Sequence, residues 1–376
     1  MKLYQILALV AFFNGAAALP ALSEFKLKAS QGLRLLELGE GLEPVWKTEA
    51  EKTALMEKSI NFFDLTETYE LEQSLGPAAA IESNSLVAAY PAPSKQSTVT
   101  PLLSRLSTSQ QTTWLNQLTS YNNRYYTAST GATAATWIQT TIRNLASAAG
   151  RSDVTVRAFT HSWAQSSTIV TFASTGTGPV TVLGGHMDSI AGGSASRAPG
   201  ADDDGTGTVN LMDAARVLIQ SGFKPATPLE FHFYAGEEAG LLGSNAIATN
   251  YRSAGKTVKG MLQLDMTAYV KPGTTETIGL ITDNTNADLN AFIRQLATSY
   301  SRIRTTNSAC GYGCSDHASW TRNGFPSAFP FEATFANSNP NIHTSGDTTA
   351  VSGFSWTHSL EFAKLAVAFA VELSSA

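Results

Sequence analysis

The spacing of apolar positions changes along this chain, and from residue 108 onward it changes regularly. Gln110 to Leu118 and Thr133 to Ala148 repeat apolar residues at helical intervals. Ser167 to Phe172 alternates as a strand. Val180 to Leu183 is a short continuous apolar run, which reads as a buried strand, and it stops at Gly-Gly-His186. From about Thr208, residues Val209, Met212, Ala215 and Ile219 share one helical face. Leu229 to Tyr234 is a strand ending in Gly236-Glu237-Glu238, with a helix from about Ala239. Met261 to Leu264 is a strand that stops at Asp265. Ile278 to Ile281 is another strand, Asp288 to Tyr300 a helix, Pro326 to Phe331 a late strand and Glu361 to Leu373 a closing helix. This alternation predicts an α/β fold of three layers: a mixed, mostly parallel central sheet with helices on both faces. No internal repeat is visible.

The first quarter of the chain follows a different pattern. Lys2, the apolar run Ile6 to Phe13 and Ala16-Ala17-Ala18 have the three-part grammar of a secretory signal over residues 1–18. The apolar run is too short to span a bilayer, and no later stretch reads as transmembrane. Residues 19–88 are Glu-rich, with amphipathic patterns such as Leu33, Leu35, Leu36 and Leu38 among charges. Near residue 76 the composition turns to Gly-Pro-Ala-Ala-Ala and then Tyr90-Pro-Ala-Pro-Ser, which is linker composition. Residues 1–88 hold 7 Lys/Arg and 12 Asp/Glu; the remainder holds 18 of each. The whole net charge of −5 therefore sits in the first 88 residues. An acidic, separable segment in a secreted chain reads as a propeptide over residues 19–88, a folding aid or inhibitor of a zymogen whose catalytic domain is 89–376. An accessory domain that stays attached is the other reading.

Composition narrows the functions. A chain of 376 residues, 43% hydrophobic and 15% charged, can bury a large core. Its weak negative charge gives no reason to expect nucleic acid, and no membrane partner is expected. The default assembly is a monomer. The two cysteines, Cys310 and Cys314, can close a small disulfide loop in an oxidising compartment. A soft metal site is the alternative, but two thiols fall short of the four ligands that structural zinc uses.

Candidate chemistry gathers at the predicted strand ends. His186, Glu237, Glu238 and Asp265 fall at C-terminal strand ends, where ligands bind in open α/β sheets. With Asp202-Asp203-Asp204 and His343 they read as a two-metal hydrolase site, since a metal that activates water needs oxygen and nitrogen ligands and a nearby base. His186 could bind through one ring nitrogen while Asp188 orients the other; a satisfied core histidine is the plainer reading. The acid triplet is a solvated loop or the source of a bridging carboxylate, and its spacing does not suit a calcium loop. Glu237 and Glu238 are adjacent and diverge, so one can bind metal and the other serve as base. His161, His232 and His358 read as structural, and His317 is left open.

These runs resemble the secreted, co-catalytic di-zinc leucine aminopeptidases of bacteria and fungi. The carriers are Gly-Gly-His186-Met-Asp188-Ser, Pro-Gly-Ala-Asp202-Asp203-Asp204, Glu237-Glu238-Ala-Gly-Leu, Gln-Leu-Asp265-Met-Thr, Cys310-Gly-Tyr-Gly-Cys314-Ser-Asp-His and Ile342-His343-Thr, in the family's order over roughly residues 95–376. The resemblance implies the zinc-dependent exopeptidase fold and two Zn2+ per chain. One zinc would take His186 and Asp265, the other Glu238 and His343, with Asp203 bridging. Glu237 would be the general base and Asp188 the orienting acid. Cys310 and Cys314 would form the family's disulfide. Tyr312 would line the substrate site, and Met266, Ile281, Phe329, Phe331, Phe335 and Ile342 would form or neighbour an apolar pocket for the first side chain. The expected substrates are peptides with a free N-terminus, leucine preferred, outside the cell. The stretch from His186 to Asp203 is shorter than in bacterial members, which bears on access rather than ligation. Glutaminyl cyclases, metal-dependent carboxypeptidases or deacylases, and a non-catalytic binding module are the alternatives on such a scaffold.

Overall fold

The computed structural model describes residues 19–58, 60–76 and 90–375. The signal-like residues 1–18 and most of the linker lie outside them. The N-terminal segment runs α1 (Leu22–Ser30), β1 (Arg34–Glu37), β2 (Val45–Lys47), α2 (Glu49–Met56), β3 (Phe63–Asp64) and α3 (Tyr69–Leu75). Its strands pair antiparallel in the order β2-β1-β3. Phe25, Leu35, Leu65 and Tyr69 make a small core of its own. The residues around Leu35 are therefore a strand, although their Glu-rich surroundings suggest amphipathic helix. Arg34–Glu37 pairs with both β2 and β3, and tertiary pairing overrides local preference.

The body follows with α4 (Gln96–Leu103), α5 (Thr108–Ser120), α6 (Ser129–Ala148), β4 (Val154–Phe159), β5 (Ser167–Phe172), β6 (Val180–His186), α7 (Gly207–Ser221), β7 (Leu229–Tyr234), α8 (Leu242–Ser253) and β8 (Val258–Gln263). It closes with β9 (Ile278–Ile281), α9 (Ala287–Tyr300), β10 (Thr305–Ser308), α10 (His317–Arg322), β11 (Ser327–Ala328), β12 (Pro330–Phe331) and α11 (Trp356–Ser374). Six strands form the main sheet in the order β11-β8-β6-β7-β5-β4. β11, β8, β6 and β7 run parallel; β5 and β4 are antiparallel to their neighbours. A short sheet, β10-β9-β12, flanks it.

Alternation along each strand sends neighbours to opposite faces. Val170, Leu183, Phe231 and Leu262 join the core under α5, α6, α7, α9 and α11. Ile169, Val182, Tyr234 and Met261 join the smaller core under α8 and α10, with Ile247, Tyr251 and Trp320. Neither of these two cores contains a residue of the N-terminal segment; a third, smaller cluster joins Met56 of the segment to Tyr125, Tyr126, Ile190, Ala239 and Leu242 of the body. The three layers and the mixed sheet match the expectation.

Two details differ from it. Pro326 to Phe331 is not one strand: β11 pairs with β8 in the main sheet and β12 with β9 in the small one. A continuous apolar run cannot show that its halves serve different sheets. The helix expected from about Ala239 starts at Leu242, because Gly240 (φ 102°) and Leu241 (φ 58°) carry the chain through left-handed turns first.

Candidate metal centre

Three neighbouring strands end at one edge and bring the site together. β6 lies between β7 and β8, with His186 beside Tyr234 and Gly184 beside Gln263. His186 closes β6, Glu237 and Glu238 follow β7, and Asp265 follows β8. Gly184 and Gly185 are required there: a Cβ on Gly184 would lie 2.5 Å from the Tyr234 ring, and one on Gly185 would lie 2.7 Å from the Leu264 carbonyl. Asp203 comes from the turn before α7, and His343 from the loop after β12. His343 and Met266 both hold left-handed backbone (φ 56° and 54°). Non-glycine residues in that region cost energy and concentrate at functional sites.

The side chains fall into two adjoining groups: His186, Glu237 and Asp265, and Asp203, Glu238 and His343, with potential ligand atoms within 4.8 Å in each. Asp203 joins them. Its Oδ1 is 3.1 Å from His186 Nε2 and its Oδ2 is 3.2 Å from His343 Nε2. His343 Nε2 is also 2.9 Å from Glu238 Oε2, and His186 Nε2 is 3.5 Å from Asp265 Oδ1 and 4.0 Å from Glu237 Oε2. Of the acid triplet only Asp203 faces the histidines. Asp204 accepts from the backbone N–H of His186, Gly207 and Met266. Asp202 accepts from Ala268 N–H, Thr206 Oγ1 and Asn339 Nδ2. All three are buried, so the triplet is no solvated loop.

Asp188 has two tasks. Its Oδ1 lies 3.6 Å from His186 Nδ1, and its two oxygens accept from the Glu237 and Glu238 backbone N–H at 3.1 and 3.2 Å. It thus faces the imidazole and holds the Glu pair's turn.

The electrostatics ask for a cation. Burial and the neighbouring Asp316, Asp265 and Glu238 lift the Glu237 pKa well above the carboxylate range, against the pull of His186. Burial, with Asp203 nearby, pushes Glu238 up to about 7 despite His343. Burial opposes the charge on Asp203 too, but the imidazoles of His186 and His343 close to its two oxygens outweigh it and hold its pKa down. Two imidazoles thus face four carboxylates out of water, a surplus of negative charge that needs compensation. His186 Nδ1 and Nε2 and Asp265 Oδ1 are buried with no hydrogen-bond partner. Buried polar atoms are nearly always paired, and a divalent ion would satisfy them. Imidazole nitrogen with carboxylate oxygen is a zinc-type donor set, so the residues fit the group.

An apolar hollow opens on these acids. Met266, Phe329, Phe331, Phe335, Ile342 and Tyr312 line it beside Glu237, Glu238 and Asp203. Ile281 does not: it is fully buried and packs behind Met266, Phe329 and Phe331. The Cys310–Cys314 disulfide is present and frames Tyr312. The remaining histidines have structural surroundings. His161 bonds Ser167 Oγ, His232 bonds Glu230, and His358 lies between Glu276 and the Glu332 carbonyl. His317, left open above, is buried against the Phe329 ring and joins neither group.

Several supporting residues escape sequence reasoning. Ser315 Oγ donates to Asp265 Oδ2 at 2.5 Å and accepts from Gln263 Nε2 at 3.0 Å. Asp347 accepts from the Asp202 and Asp203 backbone N–H. Arg124 is fully buried and donates to the carbonyls of Met187, Pro199 and Gly200. Only Asp347, four residues after His343 in an acid-and-histidine run, had a local signal. Ser315 sits in the Cys310–His317 run that carries the resemblance but has no role assigned there, and Arg124 sits in a stretch with no motif.

Acidic and basic side chains meet across the segment–body contact. Arg322 pairs with Glu37 and Glu72, Arg252 donates to the Gly76 carbonyl, and Asn245 donates to Thr68 and Glu72. The segment's residues Met56, Ile60, Asn61 and Phe62 line the same hollow as the acids.

Two adjoining groups of zinc-type ligands at the C-terminal edge of a mixed sheet, beside an apolar hollow, define a metal-dependent hydrolase. Comparison narrows the class: residues 167–370 match peptidase family M28, and the chain belongs to that family. It is 42% identical to leucine aminopeptidase 1 of Arthroderma gypseum over the whole of both chains, the N-terminal segment included. The LapA aminopeptidase of Legionella pneumophila superposes with a TM-score of 0.82 at 30% identity, covering 93% of this chain and 96% of that one. A glutaminyl cyclase of Porphyromonas gingivalis shares the fold alone, with a TM-score of 0.58 at 15% identity over 70% of this chain and 98% of its own. Among the described residues no helix is long and apolar enough to cross a membrane.

Proposed function

We propose that this chain is a secreted aminopeptidase that removes apolar N-terminal residues, leucine foremost, from peptides, with two zinc ions at the joined ligand groups. The observation that carries the reading is the juxtaposition of those groups with the hollow of Met266, Phe329, Phe331, Phe335 and Ile342. His186 and Asp265 would hold one zinc, Glu238 and His343 the other, with Asp203 between them. The ions, when bound, supply Lewis acidity for the scissile carbonyl and for the attacking water. Glu237 takes a proton from that water and returns it to the leaving amine. Its burial suits the task, because a carboxylate out of water is a stronger base. Asp188 fixes the backbone from which Glu237 and Glu238 point. The hollow receives the first side chain, and a charged residue there would be left unpaired, which is costly.

Residues 19–88 would be a propeptide behind the signal of residues 1–18. Support comes from the segment's own small core, from its acidic contacts with Arg322, and from Met56, Ile60 and Phe62 standing at the mouth of the hollow. The signal grammar and the disulfide support secretion.

The test is elemental analysis with leucyl-4-nitroanilide hydrolysis, before and after removal of the segment. About two zinc ions per chain, hydrolysis that rises on removal, and leucyl substrates preferred over lysyl and aspartyl ones are expected. One zinc at full activity would sink the two-ion reading. Equal rates on the three substrates would sink the apolar specificity.

A further inference from the structure

Two apolar walls flank the acids, and only one is accounted for above. The first, Met266 with Phe329, Phe331, Phe335 and Ile342, is built wholly from the body. The second begins at Ile190 and Leu241, which line the same hollow on the side of Glu237 and Glu238. Behind Ile190 stand Tyr125, Tyr126, Ala239 and Leu242, packed into one cluster with Met56 and, at its margin, Phe62 of the N-terminal segment. Each side of this wall is tied to the site. Ile190 follows Asp188 by two residues, Leu241 follows Glu238 by three, and Tyr126 packs where a Cβ on Gly236 would touch its ring at 3.4 Å.

All of these body residues are at least nine-tenths buried in the full-length chain. Met56 and Phe62 do part of that covering. Removal of the segment leaves an apolar, partly aromatic surface beside the acids. Exposed apolar patches of this kind serve binding. The occupant follows from peptide geometry. In an extended peptide successive side chains point to opposite sides. A substrate whose first side chain enters the Phe329–Phe331 hollow therefore turns its second side chain away from it, and Ile190 and Leu241 are the body's aliphatic residues that line the hollow outside that wall.

Resting on the aminopeptidase reading, we propose that Ile190 and Leu241, backed by Tyr125, Tyr126, Ala239 and Leu242, form the subsite for the substrate's second side chain. The enzyme then favours peptides whose second residue is apolar or aromatic. Met56 and Phe62 occupy that subsite in the full-length chain as stand-ins for such a residue.

The experiment uses the full-length chain, folded first, then freed of the segment by limited proteolysis and loaded with zinc. The readout is the ratio of kcat/KM for Leu-Phe-Gly over Leu-Gly-Gly. A ratio of about tenfold is expected for one well-placed apolar contact, with Leu-Asp-Gly poorer than both. Ile190→Ser should bring the ratio to about twofold or less. Ile190→Ala, a milder change, should lie between. Melting curves establish that each variant is folded, and general damage lowers both substrates together without moving the ratio. A wild-type ratio near one overturns the subsite, and so does a ratio that Ile190→Ser leaves intact. If no peptide is cleaved, the aminopeptidase reading fails, and the subsite is then judged by calorimetry with uncleavable reduced-amide Leu-Phe and Leu-Gly analogues. Tighter binding of the Leu-Phe analogue by about tenfold upholds the subsite; equal affinities overturn it.

Discussion

Ser315→Ala tests whether the proposed ligand Asp265 is held in place or merely nearby. The hydroxyl donates to Asp265 Oδ2 at 2.5 Å, and its own oxygen accepts from Gln263 Nε2 at 3.0 Å. Removing it costs the carboxylate one charge-assisted hydrogen bond, worth about 1.5–3 kcal/mol when buried. Gln263 keeps a second partner, Asp316 Oδ2 at 2.9 Å, so the loss falls mainly on Asp265. Asp265 Oδ1 has no hydrogen-bond partner, so nothing else fixes the carboxylate in the orientation that offers Oδ1 beside His186. At about 1.4 kcal/mol per decade the estimate converts to roughly 10–100-fold in metal affinity, the usual effect of losing such a partner. The assay is zinc competition against a chelator of known affinity at fixed pH, with the melting temperature of the metal-free protein as control. Ser315→Cys, with a weaker donor, should fall between. Zinc affinity within about threefold of wild type in a folded Ser315→Ala would refute the reasoning.

Three further outcomes follow from the geometry. Glu237→Gln should keep zinc and fold but lose on the order of 10²–10⁴ in kcat, whereas Glu238→Gln should weaken zinc binding; metal analysis of the two variants showing the reverse would swap the roles. Burial disfavours the charge on Asp64, but Lys52 and Arg34 outweigh it and hold its pKa below the ordinary range. A depressed carboxylate stabilises above its unfolded pKa of about 3.9 and loses that contribution as pH falls through the folded value. The segment's own fold should therefore loosen in acid below about pH 4, measured as loss of its structure by circular dichroism or hydrogen exchange, and Asp64→Asn should abolish that step. Arg124→Met should destabilise the chain by roughly 3–5 kcal/mol in a denaturant titration, because it strips donors from three buried carbonyls; a change under about 1 kcal/mol would show that water replaces the guanidinium.

Period and punctuation in the sequence determined the alternating elements and the layer architecture. They also exposed the candidate ligands, because a carboxylate or imidazole beside glycine at the end of an apolar strand stands out locally. His186, Glu237, Glu238 and Asp265 were legible for that reason, and the acid triplet and His343 by their runs. The choice of Asp203 within the triplet was legible only through resemblance, since three adjacent acids look alike until the turn before α7 aims one at the histidines and ties the other two to backbone N–H groups. The resemblance implies for Ile281 a place in or beside the pocket, and only the packing decides for beside, because apolar character does not distinguish lining from packing. The split of Pro326–Phe331 between two sheets, the link from Ser315 to Asp265 and the buried fork of Arg124 depend on contacts between distant stretches of chain. So does the covering of Ile190 by Met56 and Phe62. A sequence states which side chains are apolar or charged at each position. Which of them meet, and which meeting leaves a polar atom without a partner, is decided by strand order and close packing in three dimensions.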